Sequence, residues 1–315
     1  METFAGQSHA YTFTVFTLPA GSLPPGDTPI AVGLNDLGEV VGNGFIDNHG
    51  TITAVNVPIA VTQPLAINNL SQVVGSFTKS DGGHAFLDTN GTFTYFALGS
   101  AAINAGEATG INDRGQVVGQ YTGYDFPGGV RTITEQFGFI DTNGTISHLS
   151  LANGMAFLPT GINDFDQVVG ATTSGVSGVL DLRIDRFTPI KVPGATSVDA
   201  SAINNLGQVA GTYTDGAGNV HAFVDTGGRM TFLNLPPSLP GTLQAVTSIN
   251  DFDQIVGQFI DAGGVMESFI ATPQHLTDLT GHHVPDTEPV RAGGFAWGQH
   301  IEVRDAGAIP QRGHW

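Results

Sequence analysis

Hydrophobic positions in this chain come in short runs rich in Val, Ile, Phe and Thr, each bounded by Gly, Asn or Asp. The runs lack the roughly 3.6-residue apolar spacing of an amphipathic helix, so the pattern predicts strands joined by tight turns. Six times the pattern returns in nearly the same form. The copies are LNDLGEVVG from Leu34, INNLSQVVG from Ile67, INDRGQVVG from Ile111, INDFDQVVG from Ile162, INNLGQVAG from Ile203 and INDFDQIVG from Ile249. Their anchor asparagines, Asn35, Asn68, Asn112, Asn163, Asn204 and Asn250, are spaced by 33, 44, 51, 41 and 46 residues, close to the ~40 to 45 residues of a four-stranded propeller blade. A unit of this size buries its apolar face only against its neighbours. The predicted fold is therefore all-β, a β-propeller of six blades with about four antiparallel strands each; seven blades or an open repeat array are the alternatives.

The fifth copy shows the unit most clearly. One strand ends at Ile203, Asn204 to Gly207 turn, a second strand runs Gln208 to Tyr213, a third is His221 to Val224, Asp225 to Gly228 turn, and a fourth runs Met230 to Leu235 before Pro236. Asn, Asp and Gly suit such turns because they tolerate left-handed backbone or cap their own turn. On that reading the anchor Asn is a local cap, and Asn204→Ala costs about 1 to 2 kcal/mol at most. The Gly that closes each second strand (Gly42, Gly75, Gly119, Gly170, Gly211, Gly257) marks a site where a neighbouring backbone forbids a side chain. Phe77, Tyr121, Tyr213 and Phe259 follow it by two residues and are expected to pack between successive sheets.

The third strand and its turn read His84-Ala85-Phe86-Leu87-Asp88 and His221-Ala222-Phe223-Val224-Asp225. Together with the Asn-containing turn, these resemble the bacterial repeats called the HAF family, described as probable extracellular repeats. The resemblance covers roughly residues 30 to 280. It implies a bacterial surface or secreted protein and is nearly silent on activity. The other four units read Gly44-Phe45, Gly138-Phe139, Val179-Leu180 and Ser268-Phe269 at the His-Ala-Phe position.

Ring closure has a candidate in Tyr11 to Leu18, which resembles the fourth strand of other units. An outer strand supplied by the N-terminus would pair the two ends of the chain. His275 to Leu279 could serve instead, and Gly294 to Val303 could form a further hairpin. The domain reading is a six-repeat propeller over 1-280 and a tail or linker over 281-315.

Composition narrows the partners. The 315 residues carry 10 basic and 28 acidic side chains, a formal charge of -18, which disfavours nucleic acid and anionic membranes. Residues 1 to 272 hold 23 acids and 7 bases, so the acidity belongs to the repeats. Cysteine is absent, which excludes disulfides and thiolate metal sites. No stretch approaches the ~18 apolar residues of a membrane span. Met1 to Ser8 show neither the basic start nor the apolar core of a secretory signal. The location expected is extracellular or cell-surface, with the cytoplasm as the alternative.

Candidate chemistry is sparse. Asp164 with Asp166 and Asp251 with Asp253 place two carboxylates and an amide within four residues, a donor set suited to calcium, weighed against plain turn capping. His84 and His221 sit at equivalent strand positions and would lie far apart in a ring. Five histidines fall late (His275, His282, His283, His300, His314) near Asp286, Glu288 and Glu302, without a recognised metal-ligand spacing. The longest insertion, Thr122 to Gln136, carries Tyr124, Asp125, Phe126 and Arg131, and aromatics beside charges on a loop suit glycan or peptide recognition. No GxSxG elbow, phosphate loop or nucleotide fingerprint is present. The leading reading is a monomeric, non-catalytic interaction propeller that binds a glycan, peptide, matrix component or cationic partner. A hydrolase or lyase with a channel-mouth acidic or divalent-metal site is the second reading, and an acidic structural scaffold the third.

Overall fold

The computed structural model describes residues 11–19, 21–22, 28–55, 61–80, 82–96, 98, 106–125 and 132–274, all within a unit spanning Met1–Gln274. They form six four-stranded antiparallel sheets. No helix occurs among the described residues. Blades 1 to 5 follow the chain over 31–54, 61–95, 106–149, 157–189 and 197–233. Blade 6 combines Gly241–Ile249, Ile255–Asp261 and Met266–Pro273 with Tyr11–Val15, which pairs with Met266–Pro273 as the outer strand. Tyr11–Val15 thus closes the ring, as its likeness to the fourth strand of other units suggests. The alternative closing segments, and the tail over 281-315, lie outside the described residues.

Each pair of adjacent blades encloses its own apolar cluster, giving six in all. The third strand of each blade contributes one large buried side chain: Phe45, Phe86, Phe139, Leu180, Phe223 and Phe269. Phe77, Tyr121, Tyr213 and Phe259 join the same clusters, as their spacing implies. The core of a propeller is therefore distributed, and every blade depends on both neighbours.

The innermost strands touch in unbroken cyclic order around the axis. Each carries a bulge three residues before its anchor Asn, as between Ala108 and Gly110 or Ala200 and Ala202. The bulge pushes a carbonyl towards the second strand, and that carbonyl is why the strand-closing Gly recurs. A Cβ built on Gly211 would stand 2.1 Å from Asp199 O, and one on Gly119 would stand 2.1 Å from Glu107 O. Next to the bulge comes a small residue, Gly33, Ala66, Gly110, Gly161, Ala202 or Ser248. It lets neighbouring inner strands approach closely: a Cβ on Gly110 would meet Gly161 Cα at 2.8 Å.

Candidate functional site

The six Asn turns gather on one face of the ring and form a closed circuit of hydrogen bonds. Each anchor Asn donates from Nδ2 to the backbone carbonyl of the next blade's anchor: Asn35 to Asn68, Asn68 to Asn112, Asn112 to Asn163, Asn163 to Asn204, Asn204 to Asn250, and Asn250 back to Asn35, at 3.0 to 3.2 Å. The same Nδ2 donates to the side chain four residues on, Glu39 in blade 1 and Gln elsewhere. In five blades Oδ1 accepts two backbone N–H groups of its own turn, as Asn204 does from Leu206 and Gln208. The amide's hydrogen-bonding capacity is then filled in a fully buried position. The anchor is therefore more than the local cap inferred from sequence. One of its four side-chain hydrogen bonds joins blades.

A second circuit lies beside the first. Asp36, Asn69, Asp113, Asp164, Asn205 and Asp251 each accept, on Oδ1, the backbone N–H of the corresponding residue in the preceding blade, at 2.7 to 2.8 Å. Asn69 bridges Asp36 and Asp113 through Nδ2, and Asn205 donates to Asp164 Oδ2. Asp113 and Asp164 are successive carboxylates, as are Asp251 and Asp36. Burial pushes the Asp251 carboxyl up, and the charges of Asp36 and Asp164 push it further, while the N–H and amide of Asn205 oppose the rise. These residues surround a small cavity of about 80 Å³ at the channel mouth.

The four proposed metal ligands are thus split by the geometry. Asp164 and Asp251 belong to the second circuit with Asn205 between them. Asp166 and Asp253 sit two residues later, at φ 58° and 57°, where Asp166 pairs with Arg114 of blade 3. Among the described residues no group of three or more His, Asp or Glu side chains is disposed to hold one metal ion. His84 stacks on Phe77 and His221 on Tyr213, each with ring centroids 5.0 Å apart. His221 Nε2 also lies 3.0 Å from Asp215 Oδ2; the amide of Asn219 and His221 hold the Asp215 carboxyl well below the usual range. The second-turn acids behave as caps: Asp47, Asp141 and Asp225 accept the N–H of Gly50, Gly144 and Gly228. The late histidines lie outside the described residues.

On the opposite face, blade 3 extends beyond its neighbours. Its central hairpin strands, Val117–Asp125 and Thr132–Thr142, remain paired out to Asp125 and Thr132. Tyr124 and Asp125 fall on the extended strand, whereas Phe126 and Arg131 lie outside the described residues. At the hairpin's base a pocket of about 290 Å³ opens between blades 2 and 3, lined by Ser76 and Gly83 from one and Glu107, Gln120, Tyr121 and Gln136 from the other. Gln120 Nε2 donates to Glu107 Oε1 at 2.5 Å. Phe157, Val198 and Leu243 occupy the inner-strand register position in blades 4, 5 and 6; blade 3 has Gly106 there, and the pocket opens beside it. A side chain there would crowd Leu98, whose Cδ1 would stand 2.6 Å from a Cβ on Gly106, and neither that Gly nor the insertion revealed the pocket in the sequence.

No family model matches the sequence, and no curated protein matches it. Among solved structures the chain is similar to a streptogramin B lyase, at 16% identity and TM-score 0.49, over 82% of this chain and 87% of that one. It is similar to a Xanthomonas campestris gluconolactonase at 12% identity and TM-score 0.44, over 79% and 87%. A third similarity is to the Aleuria aurantia lectin, at 11% identity and TM-score 0.42, over 77% and 91%.

Proposed function

We propose that this chain is a non-catalytic interaction propeller, a secreted or surface-exposed module that binds a glycan or peptide through the face carrying the blade 3 hairpin. The observation that supports this reading is the juxtaposition there of the longest hairpin and a polar pocket with an aromatic wall. Ligand sites combine a concave surface with a few fixed polar groups, and this one offers a hydroxyl, amides, a carboxylate and Tyr121. The resemblance of the units to HAF repeats supports the surface location. The chain's net charge of -18 favours neutral or cationic ligands over polyanions.

The competing hydrolase or lyase reading draws on the convergence of Asp36, Asp113, Asp164 and Asp251 at the channel mouth. Against it, each of these acids already receives a main-chain N–H from the blade before. Their first task is to join blades.

Glycan and peptide arrays test the proposal. Tyr124→Ala with Phe126→Ala, and separately Ser76→Leu, should weaken the signal at least tenfold while thermal unfolding stays within about 2 °C of the parent, as surface changes do. Parent-like binding by both variants, with a turnover lost on mutating Asp164 and Asp251, would replace this reading with the enzyme.

A further inference from the structure

The residue that follows each anchor Asn by two is exposed in every blade, and in five blades it is apolar. Leu37, Leu70, Phe165, Leu206 and Phe252 are 54%, 60%, 48%, 63% and 63% exposed. Blade 3 carries Arg114 there, its side chain 46% exposed. Five of the eleven large exposed hydrophobics among the described residues thus occupy one turn position. They form a crown around the channel mouth.

The backbone beneath the crown is fixed. The N–H of Leu70, Arg114, Phe165, Leu206 and Phe252 is held by the anchor's Oδ1 at 3.0 to 3.2 Å. The following residue has positive φ in all six turns. Arg114 shows that the turn accepts a charged side chain, so turn geometry does not require the apolar ones. Apolar exposure repeated at one position around a ring, with no turn requirement behind it, marks a contact surface.

Charge selects the occupant. Inside the crown lie Asp36, Asp113, Asp164 and Asp251, and next to the crown residue Phe252 lies Asp253, while Asp166 is paired with Arg114. A second copy docked face to face would set these carboxylates against each other, and nucleic acid or an anionic membrane would be repelled. We propose that the crown docks a polypeptide segment carrying both apolar and Lys or Arg side chains, the apolar groups seated on the Leu and Phe positions and a cation over the acidic centre. This surface lies on the face opposite the hairpin pocket, so it stands or falls apart from the function proposed above.

Three fluorescein-labelled 12-residue probes test it by fluorescence anisotropy on the full chain: Lys with Leu, Glu with Leu, and Lys with Ser. The Lys–Leu probe should bind at least tenfold more tightly than either other probe and weaken between 20 and 300 mM salt. Phe165→Ser with Phe252→Ser should weaken it at least tenfold, and Ser76→Leu on the opposite face should leave it unchanged. Should that double variant unfold, Leu37→Ser with Leu206→Ser serves in its place. Equal binding of Lys–Leu and Lys–Ser, parent-like binding by the crown variants, or loss on Ser76→Leu would each overturn the proposal.

Discussion

Replacing Asn204 by Ala should destabilise the ring by about 3 to 4 kcal/mol, well beyond the about 1 kcal/mol of a turn cap. Asn204 Oδ1 accepts the N–H groups of Leu206 and Gln208 at 3.1 and 2.9 Å. Its Nδ2 donates to Gln208 Oε1 at 2.6 Å and to Asn250 O at 3.0 Å. At about 1 kcal/mol net per bond the four sum to about 4, and the half-buried Gln208 recovers part of this by turning to solvent. The Asn250 carbonyl is left in a buried place without its donor. For a chain of this size each kcal/mol moves Tm by about 2 to 4 °C, so a fall of roughly 6 to 15 °C is expected. Far-UV circular dichroism on heating measures it, with the exposed neighbour Leu206→Ala as the control. Asn204→Asp retains both acceptors but turns a carboxylate oxygen on Asn250 O, and should lose at least as much stability at pH 7. If Asn204→Ala falls no further than Leu206→Ala, the inter-blade bond contributes nothing and the circuit argument fails.

Gly211→Val should cost at least about 3 kcal/mol, because its Cβ would overlap Asp199 O, which belongs to backbone and cannot turn aside; a parent-like urea midpoint would refute the crowding. Asp251→Asn should raise Tm at pH 7, since the raised carboxyl pKa means that the folded state binds the proton more tightly than the unfolded chain and loses stability as pH rises through that pKa. The gain should vanish below about pH 4, near the unfolded pKa, and a pH-independent gain, or a loss at pH 7, would contradict the sign. Deleting residues 1–15 removes the outer strand of blade 6 and uncovers Phe269, whose ring lies 5.2 Å from that of Phe13; lower Tm and concentration-dependent association by light scattering should follow, and a monomer as stable as the parent would show that the strand is dispensable.

Much of the fold was legible because its signals are local. Turn residues and short apolar runs set the strands, the repeat sets their number, and Tyr11–Val15 reads as a fourth strand because it looks like one. The crowding at Gly211 was legible as well, through the absence of any side chain in six copies. The circuit was not, because its bonds join residues 33 to 51 positions apart within the chain. A trace of it is nevertheless present. The anchor is Asn in all six units, whereas the next position is Asp in four and Asn in two. A turn cap tolerates Asp, but only an amide can donate to the neighbouring blade; the next position needs only to accept. The small residue two before the anchor carried information of the same kind, visible once the inner strands are seen to touch. The hairpin aromatics are different: part of that segment lies outside the described residues, so its role rests on the pocket at its base.

The seam in blade 6 also sets a schedule for the newborn chain. Tyr11 pairs with Pro273, so that strand waits for a partner made about 260 residues later. At about 5 to 20 residues per second that wait is on the order of 13 to 50 s. By the end of it, five finished blades carry a lone strand on a tether, and once blade 6 emerges its edge stands open beside that strand. Any copy of the strand fits that edge, including one from a neighbouring chain on the same messenger. Exchange between two such chains would preserve every pairing while tying the molecules together, so crowding during synthesis selects between a closed ring and a linked pair.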